Sequence, residues 1–382
     1  MKKTISYWSP HISKVATIKA VYNSAFALNY FSKGKFKTEI LDVFGEWKKF
    51  SNEDSKNLIK FHRLTKFNFL NKFSSEGFLY SRLKYIIIFL ISFFPLKKYL
   101  ENEKPKYLLI HLVTSLPLFI NLIFNFKSKI ILRISGKPKM NLIRHIFWKF
   151  ALKKVYKITF PTYETLSNFK KLKIADDHKL IMVYDPIIRT KEIILKKNKP
   201  INENNLKLKD YYISIGRLTK QKNFIFLIKC FREIIKSNPD IKLVIIGEGE
   251  QYSKIRQIIQ ESKIEKNIFL IGYQNNVFNY LSNSKGFILS SLWEDPGFVI
   301  VEAIFCNVPV LSSNCSSGPK EIIGIDKGLL FENNSKEDFI RKFYQFNNLT
   351  VIEKNSYTYN AKKFIKKFTL FNHYNELKKL VA

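Results

Sequence analysis

Short apolar runs alternate along the whole chain with longer, partly amphipathic stretches. This alternation is typical of parallel β-strands that are joined by crossover helices. A charged, Asn-rich segment between Arg189 and Asp210 interrupts the alternation. This segment has no periodic apolar face, so we predict that it connects two domains. Because 382 residues exceed the usual size of one domain, we predict an α/β protein with two Rossmann-like, doubly wound domains.

The apolar runs predict six strands in each half of the chain. Those of the first half are Thr4–Trp8, Thr38–Phe44, Tyr107–Leu112, Ile130–Ser135, Lys157–Pro161 and Leu180–Tyr184. Those of the second half are Tyr211–Ile215, Leu243–Ile246, Ile268–Ile271, Phe287–Ser290, Val308–Ser312 and Leu329–Phe331. We predict an N-terminal domain at residues 1–195, a second domain at 205–355, and a closing C-terminal helix at 356–382.

The chain is strongly basic, with 65 Lys and Arg against 31 Asp and Glu and a formal net charge of +34. Such a charge predicts an anionic partner, which could be a membrane surface, a nucleic acid or a phosphorylated substrate. A base-composition bias of the source genome explains the excess of lysine equally well. The charge therefore does not choose among these partners.

Cysteine usage and hydropathy bear on the compartment. The three cysteines, Cys230, Cys306 and Cys315, form neither a paired framework nor a close metal-ligand cluster, which favours a reducing compartment. The N-terminus lacks the apolar core of a secretory signal. The most apolar run, Tyr85–Leu96, has 12 residues, whereas a membrane span needs about 20. We therefore predict a cytoplasmic protein without a spanning helix.

A glycine and two cations follow the first strand of the second half. The strand Tyr211–Ile215 leads into Gly216, Arg217 and, five residues later, Lys222. Ligands of open α/β sheets bind at the carboxyl ends of strands, where a guanidinium and an ammonium group suit a diphosphate. A solvated basic turn is the alternative. After the next strand, two more glycines allow a tight turn or the close approach of a ligand: Gly247 and Gly249.

The segment Ser290–Ala303 gives the most specific indication of a ligand site in the sequence. A strand ends in serines, a Glu-Asp-Pro-Gly turn follows, and an apolar helix begins near Phe298. The free backbone N–H groups at the start of this helix, from Phe298 to Ile300, would bind an anion. Glu294 lies in the turn and Glu302 about one turn into the helix, so both carboxylates could accept hydrogen bonds from sugar hydroxyls.

Glu294 and Glu302 form a Glu-x7-Glu pair, and together with the upstream Gly216-Arg217-Leu218 and Lys222 they make the chain resemble the family-4 retaining glycosyltransferases. The resemblance covers most of residues 205–335 and includes Ser312–Ile323, which is similar to bacterial surface-polysaccharide members. It implies the GT-B fold, in which two Rossmann-like domains face each other across a cleft.

The resemblance implies a role for each residue of these motifs. Arg217 and Lys222 would bind the donor diphosphate, Glu294 the transferred sugar and Glu302 the ribose. Arg217 and Lys222 would then stabilise the charge that develops on the leaving group, so Arg217, Lys222 and Glu294 are the predicted catalytic residues. The other predicted donor-binding residues are Gly216, Gly247, Gly249, Gly297, Phe298, Val299 and Ile300. The family uses neither a metal nor another cofactor.

The N-terminal half departs from the family pattern. Many relatives have a glycine-rich loop after the first strand, where this chain has Ser9-Pro10-His11. They also often carry a histidine where this chain has Ser135-Gly136. Either Ser135 and Gly136 support the donor through other contacts, or His11 or His111 takes the place of that histidine. His111 could also be a core residue at a strand end. The predicted acceptor-side residues are Ser9, His11, His111, Arg133, Ser135 and Lys137.

The resemblance implies transfer from a nucleotide diphosphate sugar to a lipid-linked or polysaccharide acceptor in lipopolysaccharide, O-antigen or capsule synthesis. Tyr85–Leu96 and the basic, aromatic segment Lys137–Lys157 predict contact with an anionic membrane surface, which would place the protein on the inner face of the cytoplasmic membrane. Ordinary domain helices with basic faces are the alternative.

Other functions are possible on the same fold. A sugar-nucleotide epimerase is one alternative, whereas a phosphorylase would typically need a lysine-bound cofactor, and no feature of the sequence marks such a lysine. Retention of Arg217, Lys222, Glu294 and Glu302 together argues against a catalytically silent scaffold. A basic nucleic-acid-binding protein fits the charge, but the sequence has no zinc-finger spacing and no RNA-recognition signature, so we predict that nucleic acid is not a partner.

Overall fold

The computed structural model describes residues 2–12, 16–53, 58–67, 78–136, 138, 140–201 and 210–382. The chain forms two compact units. Unit 1 consists of Met1–Ile187 and Leu370–Ala382, and unit 2 consists of Ile188–Thr369. The C-terminal residues thus return to the unit in which the chain begins.

Unit 1 is built on a seven-stranded sheet in which all described strand pairs are parallel. Its strands are Lys3–Trp8 (β1), Phe36–Asp42 (β2), Ile59–Arg63 (β3), Tyr107–Ile110 (β4), Lys129–Arg133 (β5), Lys157–Phe160 (β6) and Leu180–Met182 (β7). The spatial order is β3-β2-β1-β4-β5-β6-β7. The order reverses between β1 and β4, and ligands of doubly wound sheets bind beyond the carboxyl ends of strands at such a point.

Helices cover both faces of this sheet. They are Ala16–Phe31 (α1), Lys48–Glu53 (α2), Phe78–Asn102 (α3), Ser115–Ile123 (α4), Leu142–Ala151 (α5), Tyr163–Lys170 (α6) and, from the C-terminus, Leu370–Val381 (α15). One apolar core joins α3, α4, α5 and α6 to one face, and another joins α1 and α15 to the opposite face. Of the helices in the described ranges, none has both the length and the apolar character that crossing a bilayer requires.

Unit 2 is built on a six-stranded parallel sheet. Its strands are Tyr211–Ile215 (β8), Lys242–Ile246 (β9), Ile268–Leu270 (β10), Gly286–Leu289 (β11), Val310–Ser313 (β12) and Leu329–Phe331 (β13), in the order β10-β9-β8-β11-β12-β13. Its helices are Thr190–Lys197 (α7), Phe224–Ser237 (α8), Tyr252–Glu261 (α9), Phe278–Ser282 (α10), Phe298–Phe305 (α11), Pro319–Ile323 (α12), Lys336–Asn347 (α13) and Val351–Ile365 (α14). The order reverses between β8 and β11.

The predicted α/β class with two doubly wound sheets is confirmed, and each of the twelve predicted strands overlaps an observed one. The additional strand is β3 at the edge of the first sheet, where the sequence Ile-Lys-Phe-His-Arg has no apolar run.

The prediction of one closing helix at 356–382 is wrong, because the tail contains the end of α14, a short 3-10 turn and the separate helix α15. The N-terminal domain was predicted to extend to residue 195, but unit 2 begins at Ile188, and α7 of unit 2 lies in the segment that we predicted as the connection.

Candidate functional site

The predicted catalytic residues of unit 2 follow the two strands at which the strand order reverses. β8 ends at Ile215 and leads into Gly216, and β11 ends at Leu289 and leads into the turn that contains Glu294. β8 and β11 are neighbours in the sheet and run parallel, so both turns leave from the same edge. The sheet therefore places these turns where an open α/β fold binds its ligand.

Lys222 and Glu294 form an ion pair at this edge. Both side chains are largely buried, with exposed fractions of 13% for Lys222 and 6% for Glu294. Ser291 donates a second hydrogen bond to Glu294, with 2.5 Å between the Ser291 Oγ and Glu294 Oε1 atoms. Because an ammonium group has three N–H donors, Lys222 keeps donors for a ligand while it holds Glu294.

Hydrogen bonds fix the two turns against each other. The Ser290 hydroxyl donates to the Lys222 carbonyl over 2.9 Å, and the Gln221 amide donates to the Trp293 carbonyl over 2.9 Å. The Leu292 N–H donates to the Gln221 carbonyl over 2.8 Å. These contacts hold Lys222 and Glu294 at a defined separation, which is a precondition for binding one ligand with both.

Gly247 and Gly249 lie against the backbone of the Gly216–Leu218 turn. A Cβ atom at Gly247 would lie 1.8 Å from the Gly216 carbonyl oxygen, and one at Gly249 would lie 2.5 Å from the Leu218 carbonyl oxygen. The Leu218 N–H also donates to the Glu248 carbonyl over 2.8 Å. Only a residue without a Cβ fits at either position, so the packing of these two turns requires both glycines. A direct contact of Gly247 or Gly249 with the donor stays a prediction.

Gly297 caps the N-terminus of α11 with a φ of 91°, in the left-handed region. Having no side chain, Gly297 itself provides no side-chain cap for the first amides of the helix, Phe298 and Val299. The Ile300 N–H donates to the Gly297 carbonyl over 3.0 Å. A Cβ at Gly297 would lie 3.6 Å from the Glu294 side chain, so the helix start is adjacent to the ion pair. An anion could bind both the amides and Lys222.

Arg217 and Glu302, the other two predicted side chains of the donor site, differ in exposure. Arg217 is exposed, and its guanidinium donates to the Gln221 side-chain oxygen over 3.4 Å. Glu302 lies on α11 and is half-buried. Sequence reasoning missed Ser291, although the serines that end β11 were the signal that could have found it.

A buried thiol lies beside the ion pair. Burial raises the pKa of Cys315 to about 11, and the nearby Glu294 carboxylate acts in the same direction. The thiol therefore stays protonated at neutral pH, which makes a nucleophilic role unsuited to this cysteine.

The predicted acceptor-side residues of unit 1 come together at the carboxyl edge of β1, β4 and β5. Ser9 follows β1, His111 follows β4, and Ser135 follows β5. His11 packs edge-on against the Trp47 ring, with 4.9 Å between the ring centroids. Lys137 lies outside the described residues. β1, β4 and β5 are consecutive in the sheet, so these positions lie around the point at which the strand order of unit 1 reverses.

Arg133 is engaged by a buried carboxylate. Its Nε donates to Asp185 Oδ1 over 2.9 Å, a second nitrogen pairs with the other carboxylate oxygen, and a third donates to the Ser135 hydroxyl. Arg133 is 6% exposed, whereas Ser135 is exposed. The arginine therefore orients Ser135 and is itself poorly placed to bind acceptor. Sequence reasoning missed Asp185, which follows a predicted strand by one residue.

His373 of α15 completes this polar cluster. Its Nδ1 lies 2.7 Å from the Tyr184 carbonyl oxygen, so Nδ1 carries the proton, and its Nε2 accepts from the Ser24 hydroxyl over 2.8 Å. A cavity of ≈ 20 Å³ lies between these residues and His111, Arg133 and Asp185. That volume is sufficient for one water molecule.

Unit 1 should lose stability in acid through His373. Burial lowers the pKa of His373 to about 4, and burial with the nearby Arg133 charge lowers the pKa of His111 well below its usual value. Both histidines are neutral when folded, so their stabilisation is complete above the unfolded pKa of about 6.5 and is lost as the pH falls toward 4. We expect the thermal midpoint to fall across this window, and His373→Gln to flatten the slope.

The matched control for this prediction is His178→Gln, at an exposed histidine of the same unit. The substitution leaves the buried cluster around His373 intact, so this variant should keep the wild-type slope. An unchanged slope in His373→Gln would show that the neutral histidine does not carry the pH dependence.

Solved structures agree with this architecture over the full chain. A glycosyltransferase from Rickettsia africae matches with a TM-score of 0.74 at 15% identity, and covers 100% of this chain and 99% of that chain. Anabaena HepE in complex with UDP and glucose matches with a TM-score of 0.71 at 12% identity, with the same coverage. At these identities the likeness shows the fold alone, and that fold is the predicted GT-B class.

Sequence comparison finds a family match within unit 2. Residues 196–364 match the family described as "Glycosyl transferases group 1", and this range contains every predicted donor-binding residue. The match supports the resemblance found in the motifs over this range, which is less than half of the chain.

Two curated relatives extend this finding. An uncharacterized glycosyltransferase of Methanocaldococcus jannaschii is 36% identical over 160 residues, which are 41% of this chain and 38% of the relative. The N-acetylgalactosamine-N,N'-diacetylbacillosaminyl-diphospho-undecaprenol 4-alpha-N-acetylgalactosaminyltransferase of Campylobacter jejuni is 27% identical over 255 residues, 64% of this chain and 68% of the relative. The chain thus spans less than half of the first relative's length.

Proposed function

We propose that this protein is a retaining, metal-independent glycosyltransferase that moves a sugar from a nucleotide diphosphate donor to a lipid-linked or polysaccharide acceptor in bacterial cell-surface glycan synthesis. The observation that carries the proposal is the buried Lys222–Glu294 ion pair, which lies next to the start of α11, where the N-cap residue is Gly297. The name of the Campylobacter relative, which acts on a diphospho-undecaprenol-linked sugar, supports a lipid-linked acceptor.

In the proposed reaction, the bond between the anomeric carbon and the diphosphate oxygen breaks, and the electron pair stays on the diphosphate. Lys222, Arg217 and the amides of Phe298 and Val299 stabilise the charge on this leaving group, as preorganised donors do in other transfer reactions. The acceptor hydroxyl attacks from the face that the diphosphate leaves, and its proton passes to a leaving phosphate oxygen.

The two carboxylates take different parts of the donor. Glu294 accepts hydrogen bonds from hydroxyls of the transferred sugar, and its ion pair with Lys222 orients the carboxylate. Glu302, one turn into α11, accepts from the ribose hydroxyls. Unit 1 binds the acceptor, with Ser135 as the side chain that Arg133 orients. The protein works on the inner face of the cytoplasmic membrane.

A panel of sugar nucleotides tests this function. We expect one donor class to raise the thermal midpoint of the wild type and to be hydrolysed slowly to nucleoside diphosphate and sugar. Arg217→Ala should bind this donor roughly 10-fold more weakly, because it loses a charge-assisted contact. Lys220→Ala, at an exposed lysine in the same turn, is the matched control and should bind as the wild type does.

The products separate the proposal from its nearest alternative. A transferase releases a nucleoside diphosphate, and NMR of the first transferred sugar should show the anomeric configuration of the donor. An epimerase on this fold would instead return an altered sugar nucleotide. Equal donor affinity in the wild type and in Arg217→Ala would count against the proposed diphosphate site.

A further inference from the structure

Three neighbouring helices of unit 1 turn apolar side chains toward solvent. α3, α4 and α5 cover one face of the sheet, where α3 contacts α4 and α4 contacts α5. The outward side of a surface helix in a globular protein is normally polar. Here the outward sides carry six large apolar residues that are between 36% and 79% exposed, namely Leu90, Phe94, Phe119, Ile123, Ile143 and Phe150. We call this surface the apolar ridge.

The spacing of these residues shows that α3 and α4 each contribute one continuous stripe. Leu90 and Phe94 of α3 are four residues apart, and so are Phe119 and Ile123 of α4. Residues at this spacing lie on the same side of a helix. On α3 the stripe continues toward the N-terminus through exposed Leu83 and Ile86.

Aromatic contacts join the stripes into one surface. The ring of Phe119 on α4 lies 6.0 Å from the ring of Phe89 and 6.3 Å from that of Phe93, both on α3. Lys154, which follows α5, donates to the Leu122 carbonyl of α4 over 2.9 Å. The apolar residues of the three helices are therefore held side by side, and contiguous apolar surface of this kind marks an interaction site.

Basic residues accompany the apolar ridge. Residues 78–157 contain 16 Lys and Arg against two Glu and no Asp. Lys98, Lys149 and Lys153 are exposed, and the Lys153 ammonium lies 5.7 Å from the centre of the Phe150 ring. Apolar side chains beside cations match the interface of a bilayer that contains anionic lipid, where the apolar groups enter the acyl boundary and the cations meet the headgroups.

We propose that the apolar ridge is a docking surface for anionic lipid bilayers, with α3, α4 and α5 lying on the membrane rather than crossing it. The excess of cations distinguishes this occupant from a second copy of the chain, whose equally basic surface would be repelled. The inference deepens the proposed function, on which its purpose rests, because a lipid-linked acceptor is presented at such a surface.

Vesicle flotation tests this proposal without any donor or acceptor. The wild type should bind vesicles of phosphatidylcholine with phosphatidylglycerol, should bind pure phosphatidylcholine much more weakly, and should be released progressively by salt. The double variants Leu90→Ser/Phe94→Ser and Ile143→Ser/Phe150→Ser should each lose roughly 10-fold or more of the affinity, since two anchoring side chains become polar. Lys149→Glu/Lys153→Glu should bind the anionic vesicles more weakly as well.

The matched control is Ile325→Ser/Ile352→Ser, at two residues of unit 2 that are 95% and 81% exposed. It should bind vesicles as the wild type does. Wild-type affinity in both ridge variants, or equal binding of neutral and anionic vesicles, would overturn the proposal. So would a wild-type dimer that the ridge variants dissociate, because a second copy would then be the occupant. Since no donor is present, failure of the proposed sugar transfer would leave the vesicle result unchanged.

Discussion

Lys222→Met should lower the free energy of unfolding of unit 2 by about 3 kcal/mol, because it leaves the carboxylate of Glu294 buried without its counter-charge. For a unit of this size, the thermal midpoint should fall by roughly 6–12 °C. Methionine retains most of the aliphatic volume of the lysine stem, so loss of packing contributes little to the change. Calorimetry of the two proteins checks the prediction.

The double variant Lys222→Met/Glu294→Gln separates the charge effect from other consequences. Glutamine removes the uncompensated charge and can still accept the hydrogen bond that Ser291 donates. We expect the double variant to recover more than half of the lost stability. If it is as unstable as Lys222→Met alone, the buried charge is not the cause of the loss.

Gly247→Ala should be the most disruptive of the glycine substitutions in unit 2 that concern the site. Its new methyl group would lie 1.8 Å from the Gly216 carbonyl oxygen, and alanine is also strained at the φ of 149° that Gly247 adopts. We expect a loss of about 3 kcal/mol or more, together with weaker donor binding, because the turn that carries Arg217 must move. Thermal unfolding and donor titration measure the two effects.

Gly272→Ala is the matched control for this substitution. Gly272 also has a positive φ, of 69°, but no atom lies within 4 Å of its Cβ position. It should therefore lose only about 1 kcal/mol, the cost of a left-handed alanine, and leave donor binding unchanged. Equal losses in the two variants would mean that backbone strain, and not the contact with Gly216, dominates at Gly247.

Most of the strands could be predicted because each depends on a short, local pattern of residues. Runs such as Leu243–Ile246 are apolar and bounded by turn residues, so their strands follow from the pattern alone. β3 was missed because three of its five residues are Lys, His or Arg. An edge strand has only one neighbour in the sheet, so it can carry polar residues that an interior strand excludes.

The candidate site could be predicted only in part, because its decisive contacts are distant in sequence. The motifs placed Lys222 and Glu294 at strand ends, but no local pattern shows that residues 72 positions apart form an ion pair. The pairing of Arg133 with Asp185 could not be predicted for the same reason. The contacts of His373 could not be predicted either, since nothing in the sequence of the tail indicated that its helix packs on unit 1.

The most direct test of the diphosphate site is a titration of UDP, GDP, ADP and dTDP, and of the matching monophosphates, into the wild type and Lys222→Met/Glu294→Gln. The wild type should bind one diphosphate more tightly than its monophosphate. The double variant should bind that diphosphate roughly 10-fold to 100-fold more weakly and should lose the preference, because it lacks the ammonium group that we propose to contact the phosphates. A double variant that retains both the affinity and the preference of the wild type would contradict the placement of the diphosphate at Lys222.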